Sequence, residues 1–428
     1  MDDRYLAYKT LFRIEKDKAY SNLTLDSMLE SEGDGIYSKR FVSALVYGVL
    51  ERMITIDYIL SSYLKQPLKK LRPDVLTVLR MGVCQLKFMD SVPDSAAVNE
   101  SVKLVKKVGC QYASGLVNSV LRKISASDTD YPETDDVTYN LSIRYSCPQA
   151  LVKQFCDDYG VENAEGILKC SLGSSPITAR VNTLLTDTDS IIEALKTSGV
   201  EAQRSEQFKN YIILKNVGSI QENEAYKNGL FHIQDISSGM CANAVNAKEG
   251  LTVIDVCSAP GGKTFSIAEN MNNKGKIYAF DLYENRVGLI KDGAKRLKID
   301  IIEAKAHNAA EFIPELEGVA DRVLCDVPCS CLGTLSRKPE IKYKDFGFID
   351  KLCELQYNIL SNSARYLKAD GLLVYSTCSL SKRENEGVCD RFLNDNPDFE
   401  KAADYRTFLP HIDNTDGFFI AVLRRRND

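Results

Sequence analysis

The sequence lacks several features that mark familiar classes of protein. It has only three histidines among 428 residues and no Cys-x-x-Cys pair, so zinc is not expected. No apolar run approaches the ~18–20 residues of a membrane-spanning helix. The first residues also lack the basic flank and apolar stretch of a signal peptide. We therefore expect a cytoplasmic protein with no membrane segment and no metal.

Cysteine, in contrast, is plentiful. Thirteen cysteines are an odd number, and without an export signal they are expected to be free thiols in a reducing compartment. Two stand out: Cys329 in Asp326-Val327-Pro328-Cys329, and Cys378 in Tyr375-Ser376-Thr377-Cys378-Ser379. Each follows a short apolar run that is typical of a buried strand. The alternative is that both are small buried residues at strand ends, as free cysteines often are.

The charge is unevenly distributed. The net charge is −5 overall, but it is +5 over residues 1–126, −8 over 127–250 and −2 over the remainder. Residues 101–126 hold five basic side chains and no acidic one. A basic module on an acidic body favours local phosphate binding, although a solvated helical face would have the same composition.

The hydrophobic pattern divides the chain into three modules and a linker. Residues 1–126 have apolar residues at helical spacing and predict a bundle of six or seven helices, one of them starting at Pro73. Residues 127–140 begin with an acidic stretch that contains a proline and are predicted to be a linker. Residues 141–229 mix strand-like runs, such as Thr178–Val181, with a helical run and predict a small α+β module.

Residues 230–428 alternate strand-like and helical runs. The candidate strands are Thr252–Val256, Lys276–Phe280, Asp321–Cys325 and Leu372–Ser376. Alternation of this kind predicts a mainly parallel sheet with helices on both faces. Ligands then bind at the carboxyl ends of the strands, where both cysteine motifs lie.

A glycine-rich loop, Asp255-Val256-Cys257-Ser258-Ala259-Pro260-Gly261-Gly262-Lys263-Thr264, follows the first of these strands. It is not a P-loop, because Cys257 stands at the first glycine position, and it lacks the Gly-x-Gly-x-x-Gly of NAD-binding loops. Asp281 ends the next strand, where a carboxylate can accept hydrogen bonds from ribose hydroxyls or cap a helix. Together these features favour a nucleoside cofactor.

At this level of detail the chain resembles a known family. Residues 230–428 are similar to RNA 5-methylcytosine methyltransferases that use S-adenosylmethionine. The matching segments are Cys257–Thr264, Asp281–Arg286, Asp326–Ser330, Tyr375–Ser379, Glu384–Glu386 and Asp416–Phe419. The N-terminal part, including Leu45–Leu50 and Asn118–Arg122, is similar to NusB-type RNA-binding bundles. The combination resembles the bacterial RsmB/Sun family of 16S rRNA methyltransferases over essentially the whole chain.

The resemblance implies a multidomain fold: an all-α NusB-like bundle, a small α+β RNA-binding module and an α/β Rossmann-like S-adenosylmethionine methyltransferase domain. It implies transfer of a methyl group from S-adenosyl-L-methionine, leaving S-adenosyl-L-homocysteine, to C5 of a cytosine in 16S rRNA, the position called 967. We expect a monomer whose partner is 16S rRNA.

Cytosine chemistry explains the need for thiols. C5 of cytosine is a poor nucleophile until a thiolate adds to C6, after which C5 can take the methyl group and a base removes its proton. Spacing does not decide which cysteine attacks. The resemblance makes Cys378 the nucleophile and Cys329 the base or release group. Lys263 is expected to contact the thiolate or the ring, and Asp326 the Watson–Crick edge of the base.

The predicted site residues form two sets. Those expected to bind the cofactor are Cys257, Ser258, Ala259, Pro260, Gly261, Gly262, Lys263, Asp281, Arg286, Asn308 and Asp326. Those expected to contact RNA are Arg180, Asn182, Arg144, Arg337 and Lys338. The chain departs from the family pattern at Asn308, where Asp is usual, and at Cys331, where Gly is usual.

Two other functions stay open. The substrate could be another rRNA cytosine or a tRNA cytosine. The chain could also be a non-catalytic NusB-like RNA-binding assembly factor, although the intact Cys329 and Cys378 pair argues against this.

Overall fold

The computed structural model describes residues 2–17, 21–31, 38–173, 175–206, 208–215, 217–218 and 220–426. Contacts divide the chain into two compact units. The helical unit comprises Met1–Ser174 and Thr334–Lys344, and the sheet unit comprises Ser175–Gly333 and Asp345–Asp428. Among the described residues, no helix combines the length and the apolar character needed to cross a bilayer.

The described part of the helical unit contains ten α-helices. They are α1 (Asp3–Asp17), α2 (Ser21–Ser31), α3 (Lys39–Glu51), α4 (Met53–Tyr63), α5 (Pro73–Phe88), α6 (Asp94–Lys107), α7 (Ser114–Ser125), α8 (Val137–Arg144), α9 (Gln149–Tyr159) and α10 (Val161–Cys170). The first seven share one apolar core, with Leu45, Val78 and Leu121 fully buried, and confirm the predicted all-α bundle. Pro73 begins α5 as predicted, because its fixed φ suits the first helical turn.

Segment 334–344 packs in the helical unit although it lies within residues 230–428, which are predicted to form a separate domain. Its Glu340 carboxylate accepts hydrogen bonds from Ser21 N (3.1 Å) and Ser21 Oγ (2.7 Å). The fully buried Lys342 donates to the Glu51 carbonyl oxygen at 2.9 Å. Helices α8–α10 also belong to this unit, so the compact units do not follow the predicted limits at residues 140 and 229. Those limits stay predictions of domain boundaries.

The sheet unit contains a small antiparallel sheet with strand order β2-β3-β1-β4. Its elements are β1 (Ile177–Val181), α11 (Thr188–Thr197), β2 (Glu201–Arg204), β3 (Tyr211–Lys215), α12 (Glu224–Lys227) and β4 (Phe231–Ile233). Ala179, Ile212 and Phe231 form its core with Ile191 and Leu195 of α11. This is the α+β module that the strand-like runs predict.

The same unit contains an eight-stranded mixed sheet with strand order β10-β12-β9-β8-β5-β6-β7, and β11 pairs with β12. The elements are α13 (Ile236–Ala244), β5 (Thr252–Asp255), α14 (Gly262–Asn270), β6 (Lys276–Asp281), α15 (Glu284–Leu297), β7 (Ile302–Ala306), β8 (Ala320–Asp326), α16 (Ile349–Arg365), β9 (Leu367–Thr377), α17 (Glu386–Asp395), β10 (Phe399–Lys401), β11 (Arg406–Phe408), α18 (Pro410–Asp413) and β12 (Phe418–Arg425). All four candidate strands are present, and β5 to β9 are parallel. The antiparallel edge formed by β10, β11 and β12 was not predicted.

Two apolar cores lie against this sheet. One includes side chains from α13, α14 and α15, such as Cys241, Ile267 and Ile290. The other includes side chains from α16 and α17, such as Ile359 and Val388. Burying both faces of the sheet leaves the carboxyl ends of β5, β6, β8 and β9 as the place where polar side chains gather.

Candidate active site

The glycine-rich loop connects β5 to α14 and lines a cavity of about 220 Å³. Gly261 has φ +110°, and a Cβ there would come within 2.3 Å of the Phe265 ring, so this turn requires glycine. Of the residues predicted to bind the cofactor, seven line the cavity: Cys257, Ser258, Ala259, Pro260, Gly262, Lys263 and Asp326.

Two buried polar atoms of cavity-lining residues have no hydrogen-bond partner among the described residues. They are Oδ1 of Asp255 and Nε2 of Gln234, one an acceptor and the other a donor. The other Asp255 oxygen accepts a hydrogen bond from Thr264 Oγ1 at 2.7 Å. Burial raises the pKa of Asp255 to about 7. A ligand that brings both a donor and an acceptor would satisfy the two atoms.

Asp281, at the end of β6, holds the glycine-rich loop through contacts with Ala259 and Arg286. Its buried carboxylate accepts a hydrogen bond from Ala259 N at 3.2 Å and forms an ion pair with Arg286 Nη1 at 3.2 Å. Arg286 Nη2 in turn donates to the Ala259 carbonyl oxygen at 2.8 Å. Asn308 follows β7, and its Oδ1 accepts from Ala310 N at 3.1 Å. These three predicted residues do not line the cavity described above. Asp281 ends β6, Arg286 lies in the first turn of α15, and Asn308 follows β7, all on the carboxyl-end side of neighbouring parallel strands.

Lys263 and Asp326 form an ion pair beside this cavity. Lys263 Nζ lies 2.8 Å from Asp326 Oδ2, and Ser376 Oγ donates to Asp326 Oδ1 at 2.7 Å. The ammonium group also lies 5.1 Å from the centre of the Phe418 ring. Burial by itself would lower the pKa of Lys263, but Asp326 and nearby thiols outweigh it and raise the pKa above its ordinary value. The lysine is therefore held as a cation.

The two motif cysteines meet in space. Cys329 follows β8 and Cys378 follows β9, and these strands are parallel neighbours with Asp326 opposite Ser376. The two Sγ atoms lie 3.3 Å apart. Both side chains are half-buried, so a ligand can reach them.

The thiols have unusual pKa values. Hydrogen bonds to Cys331 and Cys378, together with burial, raise the pKa of Cys329 well above its ordinary value. The contact with Cys329 lowers the pKa of Cys378, but Cys331 and burial outweigh it and raise that pKa well above its ordinary value as well. Because both pKa values are raised, these shifts do not distinguish which cysteine is the nucleophile.

A buried carboxylate that was not among the predicted site residues joins the two cysteine loops. Glu384 is fully buried, and its Oε1 accepts from Ser330 Oγ at 2.5 Å and from Ser379 Oγ at 2.7 Å. Its Oε2 accepts from Ser330 N at 2.8 Å and from Gln356 Nε2 at 3.1 Å. Each serine follows one of the cysteines, so Glu384 sets the spacing between the two thiols. The only signal in the sequence is the segment Glu384–Glu386, which carries the resemblance but has no assigned role.

The structure does not support two of the predicted contacts with RNA. Arg180 is buried, and its Nε lies 2.6 Å from Glu269 Oε2. Asn182 is fully buried and donates to the carbonyl oxygens of Gly229 and Leu297 at 2.9 Å each. Their hydrogen-bonding groups are used inside the sheet unit, so neither side chain is available to RNA in this arrangement.

The other three predicted RNA contacts belong to the helical unit. Arg144 is exposed, with its guanidinium 5.9 Å from the centre of the Tyr131 ring. Arg337 and Lys338 are half-buried in segment 334–344. A role for these three in RNA binding stays a prediction.

Comparisons with known proteins find similar proteins for each of the three modules of the chain. Residues 242–424 match the family model "16S rRNA methyltransferase RsmB/F", residues 1–126 match the NusB family, and residues 147–221 match "Methyltr_RsmF/B-like, ferredoxin-like domain". The chain is 35% identical to "Probable ribosomal RNA small subunit methyltransferase B" of Bacillus subtilis, covering 99% of this chain and 98% of that protein. It is 27% identical to "Ribosomal RNA small subunit methyltransferase B" of Klebsiella pneumoniae, over 97% of this chain and 96% of that protein. A solved "Methyltransferase Homolog Protein from Pyrococcus Horikoshii" is 29% identical with a TM-score of 0.60, over 68% of this chain and 100% of that chain.

Proposed function

The chain belongs to the RsmB/F family of 16S rRNA methyltransferases, and on this premise we propose that it methylates C5 of a cytosine in 16S rRNA, the position called 967. The observation that carries the proposal is the pair of thiols, Cys329 and Cys378, 3.3 Å apart at the ends of neighbouring parallel strands. Thiol addition to a pyrimidine ring requires one such group, and a second offers a way to release the product.

The cavity beside the glycine-rich loop fits S-adenosylmethionine. Oδ1 of Asp255 can accept a hydrogen bond from the α-ammonium group, and Nε2 of Gln234 can donate to the α-carboxylate. In this proposal Asp281, at the end of β6, accepts hydrogen bonds from the ribose hydroxyls, and Asn308, in the segment after β7, contacts the adenine. When bound, the cofactor supplies an electrophilic methyl group on a sulfonium.

In the proposed mechanism Cys378 begins the reaction. Its thiolate Sγ forms a bond with C6 of the cytosine as the C5–C6 double bond opens, which makes C5 nucleophilic. C5 then forms a bond with the methyl carbon, the bond between that carbon and the cofactor sulfur breaks, and S-adenosyl-L-homocysteine would leave. Lys263, whose charge acts on Cys378, stabilises the thiolate. Asp326 holds the N3 and N4 edge of the ring by exchanging its contact with Ser376 or Lys263 for one with the base.

Cys329 completes the cycle. A base removes the proton from C5, the Sγ–C6 bond breaks, and the electron pair returns to the Cys378 sulfur. The Cys329 thiol lies beside that sulfur, which suits a role in proton transfer and release. Glu384 holds the two loops in register through Ser330 and Ser379 and acts as a positioning residue.

Methyl transfer to RNA tests this function. Purified protein with labelled S-adenosylmethionine should methylate 16S rRNA from a strain that lacks this gene, and mass mapping should place one 5-methylcytosine at position 967. A Cys353→Ser variant, which changes a thiol of α16, is the matched control and should behave as wild type. Methylation of a tRNA or of another rRNA cytosine would overturn the site assignment. Tight RNA binding without any methyl transfer would instead favour the assembly-factor function.

A further inference from the structure

A third thiol lies beside the two that the mechanism uses. Cys331 is half-buried, and its Sγ donates to the Cys329 carbonyl oxygen at 3.6 Å. The Sγ atoms of Cys329, Cys331 and Cys378 all lie within 4.8 Å of one another. We call these three residues the thiol cluster. The mechanism assigns no task to Cys331.

The spacing of the thiol cluster suits a thiophilic metal ion. Sulfurs that bind Zn²⁺ at about 2.3 Å in a tetrahedral arrangement lie about 3.8 Å apart. The Cys329–Cys378 separation of 3.3 Å and the 4.8 Å limit for the cluster bracket that value. Side-chain shifts of no more than about 1 Å would therefore complete a three-sulfur site. Three protein ligands leave the fourth position of the metal open to water.

We propose that Cys329, Cys331 and Cys378 form a binding site for a thiophilic divalent cation, with Zn²⁺ as the probe ion. On binding, three S–H bonds break, three S–Zn bonds form, and three protons pass to solvent. The resulting three thiolates and one Zn²⁺ carry a net charge of −1. The Lys263 cation acts electrostatically on Cys378 and offsets part of that charge, since it is also paired with Asp326.

The fold, and not a sequence pattern, creates this site. Cys329 and Cys331 form a Cys-x-Cys pair in the loop after β8, while Cys378 comes from the loop after β9. Glu384 joins these two loops through Ser330 and Ser379, so the ligands are held near one another before any ion arrives. The low histidine count and the missing Cys-x-x-Cys pair therefore do not exclude it.

Cation binding has a consequence that rests on the proposed function. A metal held by both Cys329 and Cys378 occupies the thiols that would attack the base and release the product. The bound cation is thus an inhibitor, and a chelator restores activity.

Direct titration tests the site without RNA or cofactor. Reduced full-length protein is titrated with Zn²⁺ against a chromophoric chelator, and with Cd²⁺ for its thiolate charge-transfer absorption. Wild type should bind one equivalent that Cys331→Ser binds at least tenfold more weakly. Cys331→Gly should weaken binding equally; it suits the +61° φ of this residue and guards against a folding defect in the serine variant. Cys156→Ser, a half-buried thiol of α9, is the matched control and should bind as wild type.

The outcomes separate the two proposals. Equal binding by wild type, Cys331→Ser and Cys331→Gly, or no binding by wild type, overturns the metal site. In methyl-transfer assays, each variant is compared with its own activity under chelator, and the Zn²⁺ concentration for half inhibition should rise at least tenfold in Cys331→Ser. If no methyl transfer occurs in any sample, the proposed function fails while the titration still decides the site.

Discussion

Two buried ion pairs in the sheet unit have the same chemistry but different surroundings. Arg180 and Glu269 lie 2.6 Å apart, and their side chains are 5% and 0% exposed. Lys263 and Asp326 lie 2.8 Å apart, and their side chains are 15% and 24% exposed. The second pair lines the cavity at the glycine-rich loop and lies beside the thiols, whereas the first pair does not line that cavity. Burial of a charged pair therefore does not by itself indicate a functional site. A cavity next to the pair and reactive side chains beside it do indicate one.

The Arg180–Glu269 pair, which we call the closed pair because both side chains are buried, should matter for folding. Arg180→Met leaves Glu269 without its cation in a buried place, and breaking such a pair costs about 3–5 kcal/mol. We expect the free energy of unfolding, from urea denaturation, to fall by this amount. The RNA affinity of the folded protein should stay within about twofold of wild type, because Arg180 is buried. If Arg180→Met were as stable as wild type but bound RNA weakly, the prediction that Arg180 contacts RNA would be supported.

The Lys263–Asp326 pair, which we call the open pair because it lines the cavity, should matter for catalysis. Lys263→Met removes a charge that stabilises the thiolate, and loss of one such group typically lowers kcat by about 10²–10³-fold. The loss of stability should be smaller than for Arg180→Met, because Asp326 is partly exposed and keeps its bond to Ser376. Lys263→Arg, which keeps the charge, should recover part of the rate. Single-turnover methyl transfer measures the effect on rate, and urea denaturation measures the effect on stability. A loss of stability without a loss of rate would mean that the open pair, like the closed pair, serves only the fold.

The smallest expected effect concerns pH. Burial raises the pKa of Asp255 to about 7, so the carboxylate gains its charge as pH rises through 7. Because a carboxylate binds an ammonium group better than the neutral acid does, cofactor affinity should rise severalfold between about pH 6 and pH 7.5. Above about pH 7.7–8.0 an α-amino group loses its proton and the gain ends.

Calorimetry of S-adenosylmethionine binding measures this dependence. Asp255→Asn should abolish it. Glu269→Gln is the control for a second buried carboxylate, because burial also raises the pKa of Glu269 to about 7. Since this change breaks the closed pair, the comparison is made at a temperature where the variant is fully folded. A pH dependence of cofactor binding that disappears in Glu269→Gln and persists in Asp255→Asn would contradict the assignment of this dependence to the cavity-lining Asp255.

Much of the sheet unit could be predicted because its signals are local. Strands β5, β6, β8 and β9 each contain a short apolar run, and the predicted functional motifs lie at or just after the ends of these runs. The parallel order then brings Cys329 and Cys378 together, although they are far apart in the sequence. The helical bundle follows from periodicity in the same way.

What could not be predicted depends on contacts between distant residues. The Arg180–Glu269 pair forms because β1 lies against α14, and no local pattern shows that this arginine points inward. Glu384 acts through two serines that belong to different loops. Segment 334–344 packs in the helical unit although its sequence lies inside the methyltransferase part, and the third thiol joins the cluster only through the loop after β8.

The division of labour between Cys378 and Cys329 is the central claim, and trapping a covalent protein–RNA adduct tests it most directly. Wild type, Cys329→Ala, Cys378→Ala and the control Cys353→Ala are incubated with natural 16S rRNA and S-adenosylmethionine, then separated under denaturing conditions. Cys329→Ala should accumulate an adduct because release is blocked, whereas Cys378→Ala should give neither adduct nor methylated product. An adduct that forms in Cys378→Ala and is absent from Cys329→Ala would contradict the assignment.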